Sequence, residues 1–341
     1  MVTLESRALA AFLIEHKLTN SHCTIHINKE NSSIDYVFID DTCTFQLHED
    51  KPVSLEYDDT ESISFIVPNI VIFLDTKATL KLSYTLSIKM LELVCSVPNF
   101  TATTSCDDNH MGKIDDKGAD YIPFSSYVYT NSAIRFLKPL ATDLANSINV
   151  EFGKEMWAVS TSQCCIYSHA SGLHGSISSE LFSKIYDYEA EVSQPTATSL
   201  VVRKKYKDAY YLINVPIKDS VDFPKTLPNL VGSCNQEVCK SIITNDVSTI
   251  IGNIIKNVKK ETVIAKFTNG RFDIIYDTNQ VHLTTVPKDW KEDGISIKIA
   301  VKTLISIVDL LSEEVTVMTN GEVICLMKGN KGLIFSGLIL R

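Results

Sequence analysis

Apolar residues recur at helical spacing near the start of each third of the chain. Over Glu5–Lys17 these are Leu9, Phe12 and Leu13, followed by His16; over Asn131–Asn146 they are Ile134, Leu137, Ala141 and Leu144; over Asp246–Lys260 they are Ile250, Ile251, Ile254, Ile255 and Val258. Steps of three and four residues bring such positions onto one helix face. The pattern predicts an internal repeat of roughly 114 residues, a third of the 341-residue chain. Half a repeat later, short strands run into further predicted helices over Asn69–Lys77, Ser178–Tyr188 and Ile299–Leu311. Apolar strands over Met90–Pro98, Tyr210–Pro216 and Gly332–Leu340 then close each third. Hairpins are predicted where alternating runs flank Asn28–Ser32, Thr268–Arg271 and Asn320-Gly321, the last because Asn-Gly accepts positive φ at both positions. Each repeat thus reads strand, helix, three strands, helix, three strands, which makes three α+β domains of two modules each. Pro139 falls inside the second repeat's first helix and is expected to kink or restart it.

Composition narrows the class. The chain is 45% hydrophobic and 21% charged, enough to bury sizeable cores. Its formal charge of −9 disfavours a broad basic DNA-gripping surface but leaves room for a basic stripe. The longest apolar runs, such as Ile70–Leu74, are far shorter than a membrane span, and no secretory leader is visible, so a cytoplasmic protein is expected. Nine cysteines, an odd number spread through strand-like segments, suit reduced thiols better than a disulfide framework.

Three domains of this plan resemble the bacterial-type DNA polymerase sliding clamp, the β clamp. The strings that carry the resemblance are SFIVPNIVIFLD in the first third, AVSTSQCCIYS in the middle, VDFPKTLPNL at the second boundary and ISIKIAVKTLISIVDLLSEEVTVMTNGEVICLMKGNKGLIFSGLILR at the end. The short domains and divergent strings would suit a phage-encoded clamp. The resemblance implies a DNA-clamp fold with domains over 1–106, 121–222 and 229–341, helices lining a ring hole and sheets outside. It implies a head-to-tail homodimer that encircles double-stranded DNA topologically and tethers a DNA polymerase, loaded by a clamp-loader ATPase. Such a role needs no catalytic residue, no cofactor and no metal, so a non-enzyme is expected.

The same resemblance nominates site residues. The channel would be lined by Arg7, Lys77, Arg135, Lys138, Lys184, Lys256, Lys259, Lys260 and Lys302; the six predicted helices hold ten basic against eight acidic residues, a net basic set in an acidic chain. Loose phosphate contact suits sliding, whereas tight neutralisation makes binding local and salt-dependent. A partner-peptide pocket would use Thr161, Gln163, Cys164 and Ile166 from the middle domain, Pro224 and Leu227 from the crossover, and Leu338, Ile339 and Leu340 from the terminal strand. Bacterial clamps usually carry Asp-Gly-His-Arg where this chain has Ser162-Gln163-Cys164-Cys165, so a different polar rim is implied.

Other constellations are plainer. Alternation along a strand sends His22 and His26 to one face and Cys23 to the other, which opposes a zinc site. Asp107-Asp108 and Asp115-Asp116 flank Gly112 and Gly118 in a polar stretch and read as a solvated inter-domain connection rather than a nuclease centre. No phosphate loop or nucleophile elbow is present. The alternative class, a β-rich structural or interaction protein of a virion, would be equally acidic and motif-free but gives no reason for helices recurring in pairs every third of the chain.

Overall fold

The computed structural model describes residues 1–336 except 57–59, 139–147, 162–163, 170, 206–208, 220–222, 234–238, 243–244, 258–261, 269–270, 277, 286–294, 301–313, 320–322 and 330. The described elements follow one plan six times, a strand, a connection and a three-stranded meander, the connection being an α-helix in the first, third, fourth and fifth modules. The first module is β1 (Val2–Ser6), α1 (Ala8–His16), β2 (His22–Asn28), β3 (Ser33–Ile39) and β4 (Thr44–Glu49). After a short β5 (Ser54–Glu56), the second is β6 (Ser62–Ile66), a 3-10 turn at Val71–Phe73, β7 (Leu80–Thr85), β8 (Met90–Ser96) and β9 (Asn99–Asp107). The third is β10 (Ile122–Pro123), α2 (Val128–Leu137), β11 (Asn149–Phe152), β12 (Trp157–Ser160) and β13 (Cys164–Ser168). The fourth is β14 (Gly175–Ser178), α3 (Ser179–Ile185), β15 (Glu191–Thr196), β16 (Ser199–Lys205) and β17 (Ala209–Pro216). A connecting helix, α4 (Phe223–Ser233), leads to β18 (Cys239–Ile242), α5 (Asn245–Asn257), β19 (Thr262–Thr268), β20 (Arg271–Tyr276) and β21 (Asn279–Thr285). The sixth comprises β22 (Ile295–Ala300), β23 (Glu314–Thr319), β24 (Val323–Lys328) and β25 (Lys331–Ser336); its expected helix over Ile299–Leu311 lies mostly outside the described residues. The Pro139 kink lies outside them too.

Pairing shows how the modules are joined. In each consecutive pair, the first strand of one module adds to the meander of the other: β1 to β7 and β6 to β2, β10 to β15 and β14 to β11, β18 to β23 and β22 to β19. Neither module of a pair can complete its sheet alone. Meanders also join across pairs, β4 to β17 from Thr44–Asn214 to Glu49–Ala209, and β13 to β25 from Cys164–Phe335 to Ser168–Lys331. All of these ladders are antiparallel, and the β2–β3, β19–β20 and β23–β24 hairpins fall where the alternating runs predict them.

The chain divides into two compact units, Met1–Ser125 with Asp187–Ile217, and Ser126–Tyr186 with Lys218–Arg341. In the first, thirteen strands run in the order β10-β15-β16-β17-β4-β3-β2-β6-β9-β8-β7-β1-β5. Helix α1 packs on one face through Leu9, Phe12 and Leu13, all buried, and the Phe12 ring lies 5.8 Å from those of Phe38 and Tyr211. Its first turn is satisfied by Ser6 Oγ, which accepts from the Leu9 N–H at 2.9 Å, as an N-terminal orphan donor requires. The second unit holds an eight-stranded sheet, β14-β11-β12-β13-β25-β24-β23-β18, and a four-stranded one, β21-β20-β19-β22.

Two expectations fail here for local reasons. The helix expected over Asn69–Lys77 is a single 3-10 turn. Its core, Ile70-Val71-Ile72, is β-branched and has no side-chain cap, and Asp75 Oδ1 takes the Lys77 N–H at 2.8 Å, which bends the backbone into a turn. The Met90–Pro98 strand does not close its repeat. As β8 it lies between β7 and β9, so the edge belongs to β9.

The β13–β25 junction depends on a glycine. Tyr167 faces Gly332 in register, and a Cβ at residue 332 would collide with the Tyr167 ring. Gly332→Ala is expected to cost about 1–3 kcal/mol through overpacking, read as a lower urea midpoint with an unchanged m-value.

Candidate functional site

The candidate residues fall into three groups, the first in the second unit. Helix α4 lays Leu227 into a buried cluster with Ala158, Cys165, Tyr167, Cys325 and Ile334, with Met156, Leu230, Val231 and Met327 packed against it. Next to that cluster opens a cavity of about 740 Å³. Its apolar walls are Phe152 and Met156 from the β11–β12 turn, Tyr167 from β13, Pro228 and Val231 from α4, and Met327 from β24; Lys154, Glu155, His169 and His174 supply polar groups. The turn is held by the Gly153 N–H donating to the Met156 carbonyl at 2.7 Å. Volume and lining fit a short peptide carrying one or two large apolar side chains, with charged groups to fix its direction.

The nominated pocket residues map around this cavity unevenly. Leu227 is fully buried in the cluster beside it. Ile166 is buried against the β25 ladder, opposite Leu333, on the strand face away from Tyr167, and does not line the cavity. Thr161 precedes β13, is half-buried and does not line it either; Cys164 opens β13, and Pro224 lies in the first turn of α4. Gln163, Leu338, Ile339 and Leu340 lie outside the described residues. Tyr167, Met156, Val231 and Met327 escaped the sequence reading. Strand alternation within Cys164–Ser168 offers two faces, and only the partner strands decide which one meets α4.

The second group is basic and is drawn from both units. Arg7 precedes α1, Lys77 follows the 3-10 turn, Arg135 lies on α2 and Lys138 directly after it, Lys184 lies on α3 and Lys256 on α5, and all are exposed. Lys259, Lys260 and Lys302 lie outside the described residues. The third group is apolar and belongs to the first unit. Along Asn99–Ser105, β9 has β8 as its one ladder neighbour among the described residues; only Cys106 and Asp107 pair with β6. Beside it Ile72 and Phe73 stand 71% and 59% exposed, and the Phe73 ring lies 6.4 Å from that of Phe100.

No family model matches this sequence, and no curated protein matches it in sequence. Solved structures match over nearly the whole chain. The Caulobacter crescentus pol III beta structure is 10% identical at a TM-score of 0.64, covering 99% of this chain and 100% of its own. A putative DNA polymerase III beta subunit from Eubacterium rectale is 14% identical at 0.65, covering 99% and 100%. The Helicobacter pylori beta clamp bound to a DNA ligase peptide is 12% identical at 0.61, with both chains covered completely. Among the described residues, no helix is long and apolar enough to cross a membrane.

Leu227→Ala is expected to destabilise the protein by about 2–5 kcal/mol, since it empties a site closed on every side, whereas Val231→Ala at the half-buried cavity wall should cost less; urea unfolding of the two variants checks the difference. At 10–14% identity and TM-scores of 0.61–0.65 the likeness lies in architecture, and the chain has the DNA-clamp fold of the bacterial DNA polymerase III beta sliding clamps.

Proposed function

We propose that this protein is a sliding clamp, a ring-shaped homodimer that encircles double-stranded DNA and tethers a DNA polymerase and other replication proteins. The supporting observation is the edge-pairing rule. The last strand of a pair's first meander joins the last strand of the next pair's second meander, as β4 joins β17 and β13 joins β25. Applied once more, the rule matches β21 with β9. Among the described residues both are left as edges, β9 along Asn99–Ser105 and β21 at the end of its four-stranded sheet. A β21 edge meeting the β9 edge of a second copy, twice over, closes a heterologous contact into a ring. The exposed Ile72 and Phe73 beside β9 would be covered by that contact, together with the half-exposed Ile255 of α5; Ile254 is already buried within its own unit.

In this reading the three domains are 1–106, 121–222 and 229–341, and Arg7, Lys77, Arg135, Lys138, Lys184, Lys256, Lys259, Lys260 and Lys302 face the DNA. Retention on DNA is then topological, and the protein supplies no chemistry of its own. A clamp-loader ATPase opens the ring. The cavity walled by Tyr167, Val231 and Met327 takes the polymerase peptide; the Helicobacter pylori clamp, with a DNA ligase peptide bound, supports such a role. Two leucine-sized anchors contribute about 3–6 kcal/mol before ordering costs, which by itself sets a scale of about millimolar to tens of micromolar for a single peptide.

Sedimentation equilibrium should report twice the 38.0 kDa chain mass, and Ile72→Asp with Phe73→Asp should shift it to monomer without unfolding, because both side chains are exposed. A parent protein that stays monomeric at micromolar concentration overturns the ring. On DNA, loaded protein should persist on closed circles and be released by linearisation. Arg135→Glu with Lys184→Glu and Lys256→Glu should impair loading or retention. Val231→Asp should abolish binding of a peptide of the Gln-Leu-x-Leu-Phe kind while leaving the dimer intact; unchanged peptide affinity would move the pocket elsewhere.

A further inference from the structure

The first unit contains a polar sheet face that is not solvated. Opposite the α1 face, cross-strand neighbours Ser64, Thr24, Val37 and Gln46 form one row over β6, β2, β3 and β4, and His26, Asp35, His48 and Tyr210 form the next over β2, β3, β4 and β17. Thr24, Asp35, Gln46 and Ser64 are all buried. What buries them is the segment after β9, which crosses the strands one after another. His110 Nδ1 lies 2.7 Å from Ser64 Oγ on β6. The Met111 N–H donates to Thr24 Oγ1 at 3.0 Å, and His26 Nε2 donates to the Met111 carbonyl at 2.6 Å, both on β2. Lys113 Nζ reaches Asp35 on β3, and the Ile114 N–H donates to Gln46 Oε1 on β4 at 2.7 Å. Below the segment Asp35 also accepts from Gln46 Nε2 at 2.9 Å and pairs with His48 Nδ1 at 2.7 Å.

We propose that residues 107–117 are a histidine-gated strap, docked across β6, β2, β3 and β4, whose hold weakens when His26 gains a proton. The two histidines stand in opposite surroundings. His26 is half-buried beside Lys113 and His110; burial first, with the electrostatic effect of these two neighbours, outweighs the Met111 carbonyl and Asp35 and pushes its pKa below the ordinary imidazole value. His48 is bracketed by Asp35 and by Asp50, 3.1 Å from its Nε2, and stacks on Tyr210 at 4.7 Å; the Asp35 bond, with these charges, outweighs burial and raises its pKa. Asp35, despite its burial, is kept below the usual carboxylate range by His48 and Lys113 and so stays charged under the strap.

The signs follow from linkage. The lowered pKa of His26 favours the docked state only while His26 is neutral, and that advantage fades as pH falls through the ordinary imidazole value of about 6.5 towards and below the docked value. The raised pKa of His48 comes from Asp35 and Asp50, which the sheet itself supplies whether or not the strap is docked, so it stabilises the fold below about 6.5 and fades as pH rises through the folded value without setting the strap's hold. The hold therefore has one limb, on the acid side. That limb involves a single proton, so it cannot be steeper than about tenfold per pH unit.

Amide hydrogen exchange of Met111 and Ile114 in the full chain reads the strap directly, once intrinsic exchange rates are divided out. Protection should hold above about pH 7 and fall as pH drops through about 6.5. His26→Gln keeps a donor at about the reach of Nε2 and should abolish that fall. His48→Asn keeps one at the Nδ1 position and should leave the fall in place. Protection independent of pH from 5 to 9, or a fall that survives in His26→Gln, would overturn the proposal. The readout needs no DNA, polymerase or second copy, so its outcome is independent of the clamp reading.

Discussion

The constraint on which this architecture rests is that no strand edge inside it can be left without a partner. A βαβββ module has a meander whose outer edges present open N–H and C=O groups, and leaving such groups buried and unpaired costs several kcal/mol. Exchange of first strands between paired modules closes one edge of each meander, and the β4–β17 and β13–β25 ladders close the other where a neighbouring pair exists. Helix placement follows from this. With the strands fixed in register, alternation decides which face each helix must cover, as α1 covers the face that holds Phe38, Phe45 and Tyr211.

The opposite face of the same sheet obeys a different rule. Its residues are polar, and the chain brings its own connecting segment to them instead of water. A buried polar array is stable only when its groups are answered, and here backbone amides and carbonyls of the segment answer Thr24, His26 and Gln46. Asp35 shows the economy of the arrangement: a carboxylate whose side chain is 5% exposed receives a histidine and an amide from β4 and a lysine from the segment.

Much of this was legible in the sequence because it is periodic. The recurrence of apolar helix faces, the Asn-Gly and Thr-Asn-Gly hairpin signals and the two-faced pattern of His22-Cys23-Thr24-Ile25-His26 all survive into the structure, where Cys23 and Ile25 are fully buried on the α1 side. What was hidden lacks periodicity. The Ile70–Leu74 run looks helical by hydrophobicity, yet β-branching and the Asp75 turn leave Ile72 and Phe73 facing outward. The cavity beside α4 is assembled from four separate elements, and the choice between Ile166 and Tyr167 depends on the β25 strand, which joins β13 from far along the chain. The stretch from Asp107 to Lys117 reads as solvated, and Asp107, Asp108 and Asp115 are exposed, but its docking on Thr24, His26, Asp35 and Gln46 was hidden because polar docking leaves no hydrophobic signature.

The ladders between pairs have a consequence for how the protein is made. β13 is completed by β25, whose residues follow it by more than 160 positions, and β4 by β17 after a similar distance. A ribosome adding about 5–20 residues per second exposes each of these edges for on the order of ten to thirty seconds before its partner emerges. Non-local pairings of this kind fold slowly and leave a template on which another nascent chain can add. The β4 edge carries Gln46 and His48 among its apolar positions, and these side chains make it a poor aggregation template while it waits.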